Sequence, residues 1–383
     1  MTDIERILPL WRELEAACAD YVLATVVAVE GSSYRKPGAC MLLAPDSRRV
    51  GTVSGGCLEA EVAQRAFWLT ENGPVVQRYS SVEEDGDLPY GSGCGGTVFL
   101  LLERRRTAHP LLIEFELAFE KRVPLAVATV LKGPRIGLRV FAGLTNVEGE
   151  RSEPGTIDSE LRDLADIAMG RRASFESVVS IDGKEAHMWA DFRPARPGLW
   201  IFGAGDDALP MLALAKEMGW LVTVSDGRPQ LATRARFPTA DSLHLLAMKE
   251  LIGAQSEDLP PALAGLQSTD AAVLLTHSFE QDAHILAALF SLKFPLAYIG
   301  VLGPQRRTRE LLAETARLLN LAATEDQIDR WLQQLHAPMG LDLGAESPET
   351  IALSVLAEIQ QSLTAATALP LREVRAASVT ALR

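Results

Sequence analysis

Two cysteines of this chain stand in runs of glycine and serine, Ser54-Gly55-Gly56-Cys57-Leu58-Glu59 and Gly91-Ser92-Gly93-Cys94-Gly95-Gly96. Glycine lets the backbone take positive φ and lets a ligand approach it closely. A thiol that only fills core space, the ordinary role of a free cysteine, has no use for such neighbours. As thiolates, Cys57 and Cys94 would be nucleophiles or soft metal ligands. A polar, helix-compatible stretch follows at 58–69, so the spacing predicts Cys57 in the first turn of a helix. There unpaired N–H groups and the helix dipole favour a thiolate. Gly55 and Gly56 then free the backbone just before it. A second candidate cluster, Gly31-Ser32-Ser33-Tyr34-Arg35-Lys36-Pro37-Gly38, is rich in hydroxyls and carries two cations, Arg35 and Lys36, suited to an anion.

The other chemistry-bearing residues lie in the second half. Gly203-Ala204-Gly205-Asp206-Asp207-Ala208 follows the apolar run 199–202 and precedes a helical pattern at 209–218. The next apolar run, 221–226, ends in Asp226, 23 residues after Gly203. Strand, glycine turn, helix, strand and terminal acid together predict half of a Rossmann fold. Gly203 and Gly205 would then lie against a phosphate and Asp226 on a ribose. His277 follows the predicted strand 271–275, at the edge where such sheets bind ligands. Arg306 and Arg307 open a helix at 308–319, an arrangement that suits an anion held by N–H groups and guanidinium forks together.

The elements that must position these residues follow from periodicity. Residues 4–19 read as an amphipathic helix whose apolar stripe includes Cys18, expected in the core. The β-branched run ending at Glu30 reads as a buried strand, followed by strands at 40–43, 49–53, 75–79 and 97–102. The cationic loop and both cysteine loops therefore fall at strand ends, where a rigid scaffold presents functional groups. Further on come a helix at 111–119, strands at 125–131 and 136–141, a helix at 157–168, and a hairpin about Asp182-Gly183. Arg193-Pro194-Ala195-Arg196-Pro197-Gly198 marks a boundary. The expected organisation is an α+β cysteine-bearing domain over 1–193, a linker at 194–198, a Rossmann-like doubly wound parallel-sheet domain over 199–365, and a tail at 366–383, an α/β chain overall.

Composition sets the class. The chain has 383 residues, 48% hydrophobic and 23% charged, with a net charge of −13 and four cysteines. That is ordinary globular material, enough for two cores. The negative charge argues against nucleic acid and anionic membranes as partners. No apolar run approaches the length of a membrane span, and the first twenty residues lack the apolar stretch of a secretory signal. Cysteines without C-x-x-C spacing fit neither a disulfide framework nor a zinc site, and point to a reducing cytoplasm.

Several segments together resemble the XdhC/CoxI family. In the first half they are Glu30-Gly31-Ser32-Ser33-Tyr34-Arg35, the stretch from Gly51 to Glu59, and Tyr90-Gly91-Ser92-Gly93-Cys94-Gly95-Gly96. In the second they are the Rossmann unit, Thr276-His277 with Asp282, Tyr298-Ile299-Gly300-Val301-Leu302-Gly303, and Gly340-Leu341-Asp342-Leu343-Gly344. The resemblance implies a maturation factor, not itself a catalyst, for xanthine and carbon monoxide dehydrogenases. Such a factor binds the molybdenum cofactor (molybdopterin), supports its sulfuration and delivers it to the apo-enzyme of a molybdenum hydroxylase. It also implies a homodimer and a cysteine desulfurase as a further partner. By resemblance Cys57 is the cofactor-binding cysteine and candidate molybdenum ligand, with Cys94 the second candidate. Where some members carry histidines in the Rossmann half, this chain has Asp206 and Phe279, and Pro304-Gln305 replaces a common Ser-Arg pair.

The residues suit such a ligand. A soft metal centre favours thiolate, an anionic phosphate suits Arg35 or Arg306, and glycine loops admit a flat ring system. The competing reading is an NAD(P)-dependent oxidoreductase, in which Asp226 takes the ribose, Arg228 a 2′-phosphate, and His277 acts as acid and base. Under it both cysteine loops are unexplained.

Overall fold

A computed structural model describes residues 3–80, 96–143, 155–181, 183–252 and 259–374. The chain divides into two compact units, Met1–Arg196 and Pro197–Arg383.

In the first unit, α1 (Asp3–Ala16) precedes β1 (Val22–Glu30), β2 (Cys40–Leu43) and β3 (Arg49–Gly51). Helix α2 (Glu59–Leu69), β4 (Val75–Ser80) and β5 (Thr97–Arg104) follow, then α3 (Arg105–Lys121), β6 (Leu125–Lys132), β7 (Arg139–Ala142), α4 (Ile157–Arg171), β8 (Phe175–Ile181) and β9 (Lys184–Arg193). They build two antiparallel sheets, in the orders β3-β2-β1-β5-β4 and β7-β6-β9-β8. Strand β1 alternates: Val22, Ala24 and Val26 face α2 through Val62 and Ala66, while Leu23 joins the cluster of α1 and α3. Helix α4 covers the second sheet through Leu161, Ala165 and Ala168, and Val27, Leu101 and Trp189 pack together between the two sheets.

One part of this interior is polar. Arg139 Nη2 donates to both oxygens of Glu103 at 2.6 Å, and the Glu103 side chain is fully buried. Burial pushes the Glu103 carboxyl up against the pull of Arg139. Arg193 donates to Asp191 and to the carbonyl of Gly38, and lies 4.1 Å over the Phe115 ring.

Cys18 departs from its expected place in the core. Helix α1 ends at Ala16, and Cys18 takes a left-handed φ of 50° in the turn that follows, where it is exposed. The helical period that set Cys18 below Leu14 is simply not continued. Among the described cysteines Cys40, on β2, is the buried one, and burial raises its pKa.

The second unit contains β10 (Gly198–Phe202), α5 (Ala208–Glu217), β11 (Leu221–Asp226), β12 (Ser242–Leu245), α6 (Met248–Leu251), β13 (Ala271–Leu274), α7 (Phe279–Phe290), β14 (Tyr298–Val301), α8 (Gln305–Leu318), α9 (Glu325–Leu332) and α10 (Pro348–Thr364). Its parallel sheet runs in the order β12-β11-β10-β13-β14. Helices α5 and α10 cover one face, and α7, α8 and α9 the other. This is the doubly wound Rossmann order, with its switch point between β10 and β13. No helix among the described residues is long and apolar enough to cross a membrane.

Candidate functional site

The first cysteine loop is built around a buried carboxylate. Glu59, 2% exposed at the start of α2, accepts the backbone N–H groups of Val53 and Ser54 at 3.1 and 2.8 Å. The Ser54 hydroxyl donates to its other oxygen at 2.6 Å and itself accepts from Gly56 N and Leu58 N. Burial alone would raise the Glu59 pKa, but these hydrogen bonds hold the carboxyl below its usual range. Leu58 is buried beneath the loop. Both ends of the motif are thereby fixed, and Cys57 between them is exposed. Cys57 stands just before the N-cap Leu58, not in the first helical turn that the spacing predicts. Gly56 has φ 112°, and a Cβ there would meet nothing within 4 Å.

The hydroxyl-rich loop comes to the same place. A Cβ at Gly55 would touch the Tyr34 ring at 3.8 Å, and Tyr34 is 75% exposed. A Cβ at Gly96 would overlap the carbonyl oxygen of Ser32. The loop that begins at Gly31 therefore meets the Cys57 loop at Gly55 and the residue before β5, Gly96. Cys94 lies outside the described residues. Arg35 is committed in part: its guanidinium pairs with Asp3, and its buried Nε has no hydrogen-bond partner among the described residues. Among the described residues no three His, Cys, Asp or Glu side chains converge as a metal-binding set.

The Rossmann edge is arranged differently from a dinucleotide site. Asp226 is 2% exposed. Its Oδ1 accepts Arg228 N and Nε at 2.8 and 2.9 Å, and its Oδ2 accepts Ala204 N and Arg228 Nη2 at 2.7 and 2.8 Å. A carboxylate has about four acceptor positions, so a ribose hydroxyl would have to displace one of these donors. Gly203 has φ 123° and lies against Leu275, where a Cβ would sit 2.7 Å from the backbone. Around Gly205 there is open space. Asp206, 85% exposed, pairs with Arg236, which puts a carboxylate near the start of α5 where a phosphate would need none.

His277 is exposed, and with Arg228, Thr276, Ser278 and Gln281 it lines a cavity of about 380 Å³ at the carboxyl edge of the sheet. Gly203, Gly205 and Arg306 do not line it. Arg306 points into solvent, 92% exposed, toward Glu310, whereas Arg307 is held by buried Asp282 at 2.6 Å. The two arginines thus diverge instead of forming one anion fork. Burial raises the Asp282 carboxyl despite Arg307 and the Thr276 hydroxyl.

Sequence reading missed the groups that hold these loops. Glu59 was legible as the end of the cysteine motif, but its role needs the fold. Glu358 on α10 accepts from Gly340 N and the Tyr298 hydroxyl, both at 2.7 Å, and pairs with His336. Nothing near Gly340 in the sequence points to a residue so far along the chain.

Residues 14–80 match the XdhC and CoxI family, and residues 199–359 match the XdhC Rossmann domain. The chain is 34% identical over 346 residues to a probable xanthine dehydrogenase subunit from Bacillus subtilis, covering 89% of this chain and 92% of that one. It is 28% identical to the molybdenum cofactor insertion chaperone PaoD of Escherichia coli, over 88% of this chain and 82% of the relative. The crystal structure of a xanthine dehydrogenase from Bacillus halodurans aligns with a TM-score of 0.68 at 28% identity, over 96% of this chain and 97% of that one.

Proposed function

The chain belongs to the XdhC and CoxI family, and from that premise we propose that it is an accessory factor for a molybdenum hydroxylase. It holds the molybdenum cofactor at the Cys57 loop, supports its sulfuration and delivers it to the apo-enzyme. The observation that carries this reading is an exposed thiol directly after the open Gly56, on a loop fixed at both ends by Ser54 and Glu59. The cofactor brings a soft metal already chelated by its own dithiolene, so one thiolate suffices where a free metal ion would need a full ligand set. Fixing the loop but leaving Cys57 exposed suits a carrier, which must bind its cargo and give it up again. A cysteine desulfurase as sulfur source, a homodimer and a cytoplasmic setting belong to the same proposal.

The nicotinamide-enzyme alternative draws no support from the second unit, since the acceptor positions of Asp226 are filled by Ala204 and Arg228.

Molybdenum and pterin content of the protein purified from a molybdate-replete host, read beside a thermal melt, tests the reading. Cys57→Ser replaces a soft ligand with a hard, protonated one, and is expected to lose most of the cofactor at an unchanged melting temperature. Wild-type occupancy in that variant removes Cys57 from the site and leaves Cys94 as the remaining candidate.

A further inference from the structure

The two sheets of the first unit part company beyond Val27, Leu101 and Trp189, and the gap is a cavity of about 540 Å³. One wall comes from β1, β4 and β5, the other from β6, β8 and β9, with Ile136 of the β6–β7 connection. Its apolar lining includes Val76, Phe99, Leu131 and Met188, its charged residues are Glu30, Arg78, Lys132 and Glu176, and His187 lies among them. The register sets these across from one another. Arg78 pairs with Phe99 on the first sheet, and Lys132 pairs with His187 on the second. An apolar pocket of this size with a few charged groups has the make-up of a small-molecule site.

The chemistry of the lining narrows the ligand. The two sheets, which pack face to face around Val27, Leu101 and Trp189, open here far enough for a flat ring to enter between their side chains. Phe99 and Met188 offer an aromatic face and a polarisable sulfur for such a ring. A carboxylate, at Glu30 on one wall or Glu176 on the other, matches two adjacent N–H donors, as on a 2-amino-4-oxo-pyrimidine edge. Lys132 matches an anionic tail. Glu30 also ends β1 immediately before Gly31, whose loop carries Tyr34, the ring against which Gly55 lies. The cavity and the Cys57 loop are thus served by one strand.

We propose that the inter-sheet cavity of the first unit binds a fused 2-amino-4-oxo-pyrimidine ring system with an anionic substituent, the pterin portion of the cargo. The inference rests on the cofactor-carrier reading above, and adds to it a site for the organic part, separate from the thiol that meets the metal. The same ring edge occurs in guanine, so the two sources must be told apart.

Fluorescence titration of the full chain with metal-free 6-hydroxymethylpterin, and separately with GMP as competitor, tests it. The wild type is expected to bind the pterin, with GMP failing to displace it. Glu30→Gln, an exposed change, removes one acceptor and should weaken binding about tenfold, the scale of one charge-assisted hydrogen bond. Val178→Trp, at a 58% exposed position of the lining, should block entry to a similar extent. Cys57→Ser should bind the metal-free pterin like the wild type. Unchanged affinity in both cavity variants, no pterin binding by the wild type, or displacement by GMP overturns the proposal. Normal molybdenum content in Glu30→Gln and Val178→Trp would sink the cavity while leaving the carrier reading intact. A wild type that carries no cofactor at all would sink the carrier reading itself.

Discussion

The Ser54 hydroxyl donates to Glu59 at 2.6 Å while accepting from Gly56 N and Leu58 N. Five residues apart, these two side chains close a ring around the glycines and Cys57. Because Glu59 is also the first residue of α2, its charge sits where a helix dipole favours an anion. The glycines supply freedom only between the two anchors, which is why an exposed thiol can have a defined position.

Glu59→Gln keeps the shape and removes the charge. It is expected to cost about 1.5–3 kcal/mol at neutral pH, the range for hydrogen bonds to a charged group. The native pKa of Glu59 is depressed below 4.5, so its contribution is complete above that value and is lost as the pH falls through the lower native one. Stability curves of wild type and Glu59→Gln should therefore run apart above pH 4.5 and converge in acid. A gap that stays constant into acid would show that Glu59 is not ionised in this role.

Gly56 and Gly96 should respond differently to alanine. At Gly56 there is room for a Cβ but φ is 112°, so the cost is backbone strain of about 1–2 kcal/mol. At Gly96 the Cβ overlaps the Ser32 carbonyl, and the loop that carries Ser32 and Tyr34 must move away from the start of β5. Gly96→Ala should therefore lose cofactor out of proportion to its drop in melting temperature, and Gly56→Ala should not. Equal cofactor content in the two variants would mean that the meeting of these loops is not needed for binding.

The sequence made legible whatever depends on neighbours in the chain. Ser54 to Glu59 could be seen as one motif, and the apolar runs with Gly203 and Asp226 led to a doubly wound sheet that the structure contains. Contacts made across the fold were out of reach. Glu103 meets Arg139 only because β5 and β7 belong to different sheets that face each other, and Arg307 turns from Arg306 because Asp282 on α7 is buried beside it. Asp226 illustrates the same limit: its position at a strand end was readable, but its hydrogen bond from Ala204 N, 22 residues back along the chain, was not. The fate of Cys18 turned on where a helix stops, a boundary that periodicity leaves loose.

Asp226 and Arg228 should behave as a brace. Asp226→Asn removes the charge that faces Arg228 and is expected to lower the stability of the second unit by about 1–3 kcal/mol, leaving cofactor content unchanged. Calorimetry of the wild type with NADH is expected to give no heat. Binding at ordinary dinucleotide affinity would show that Arg228 yields its place to a ribose, and would return the nicotinamide reading to contention.

The three described thiols predict three separate outcomes for replacement by serine. Cys57 is exposed on the loop, so its loss should appear in cofactor content alone. Cys18 is exposed in a turn, so Cys18→Ser should change neither content nor melting temperature by a measurable amount. Cys40 is fully buried beside Thr25, and its Sγ lies 3.3 Å from the Gly38 carbonyl and 3.6 Å from Arg193. A hydroxyl there keeps hydrogen-bond partners but is shorter and more costly to desolvate, so Cys40→Ser should destabilise by about 1–3 kcal/mol. Because Gly38 closes the loop that carries Tyr34, a modest fall in cofactor content should accompany that loss. Thermal melts and molybdenum analysis of the three variants, made side by side, check the set. A Cys18→Ser variant that melts earlier than Cys40→Ser would mean that α1 continues through Cys18 and packs this thiol in the core.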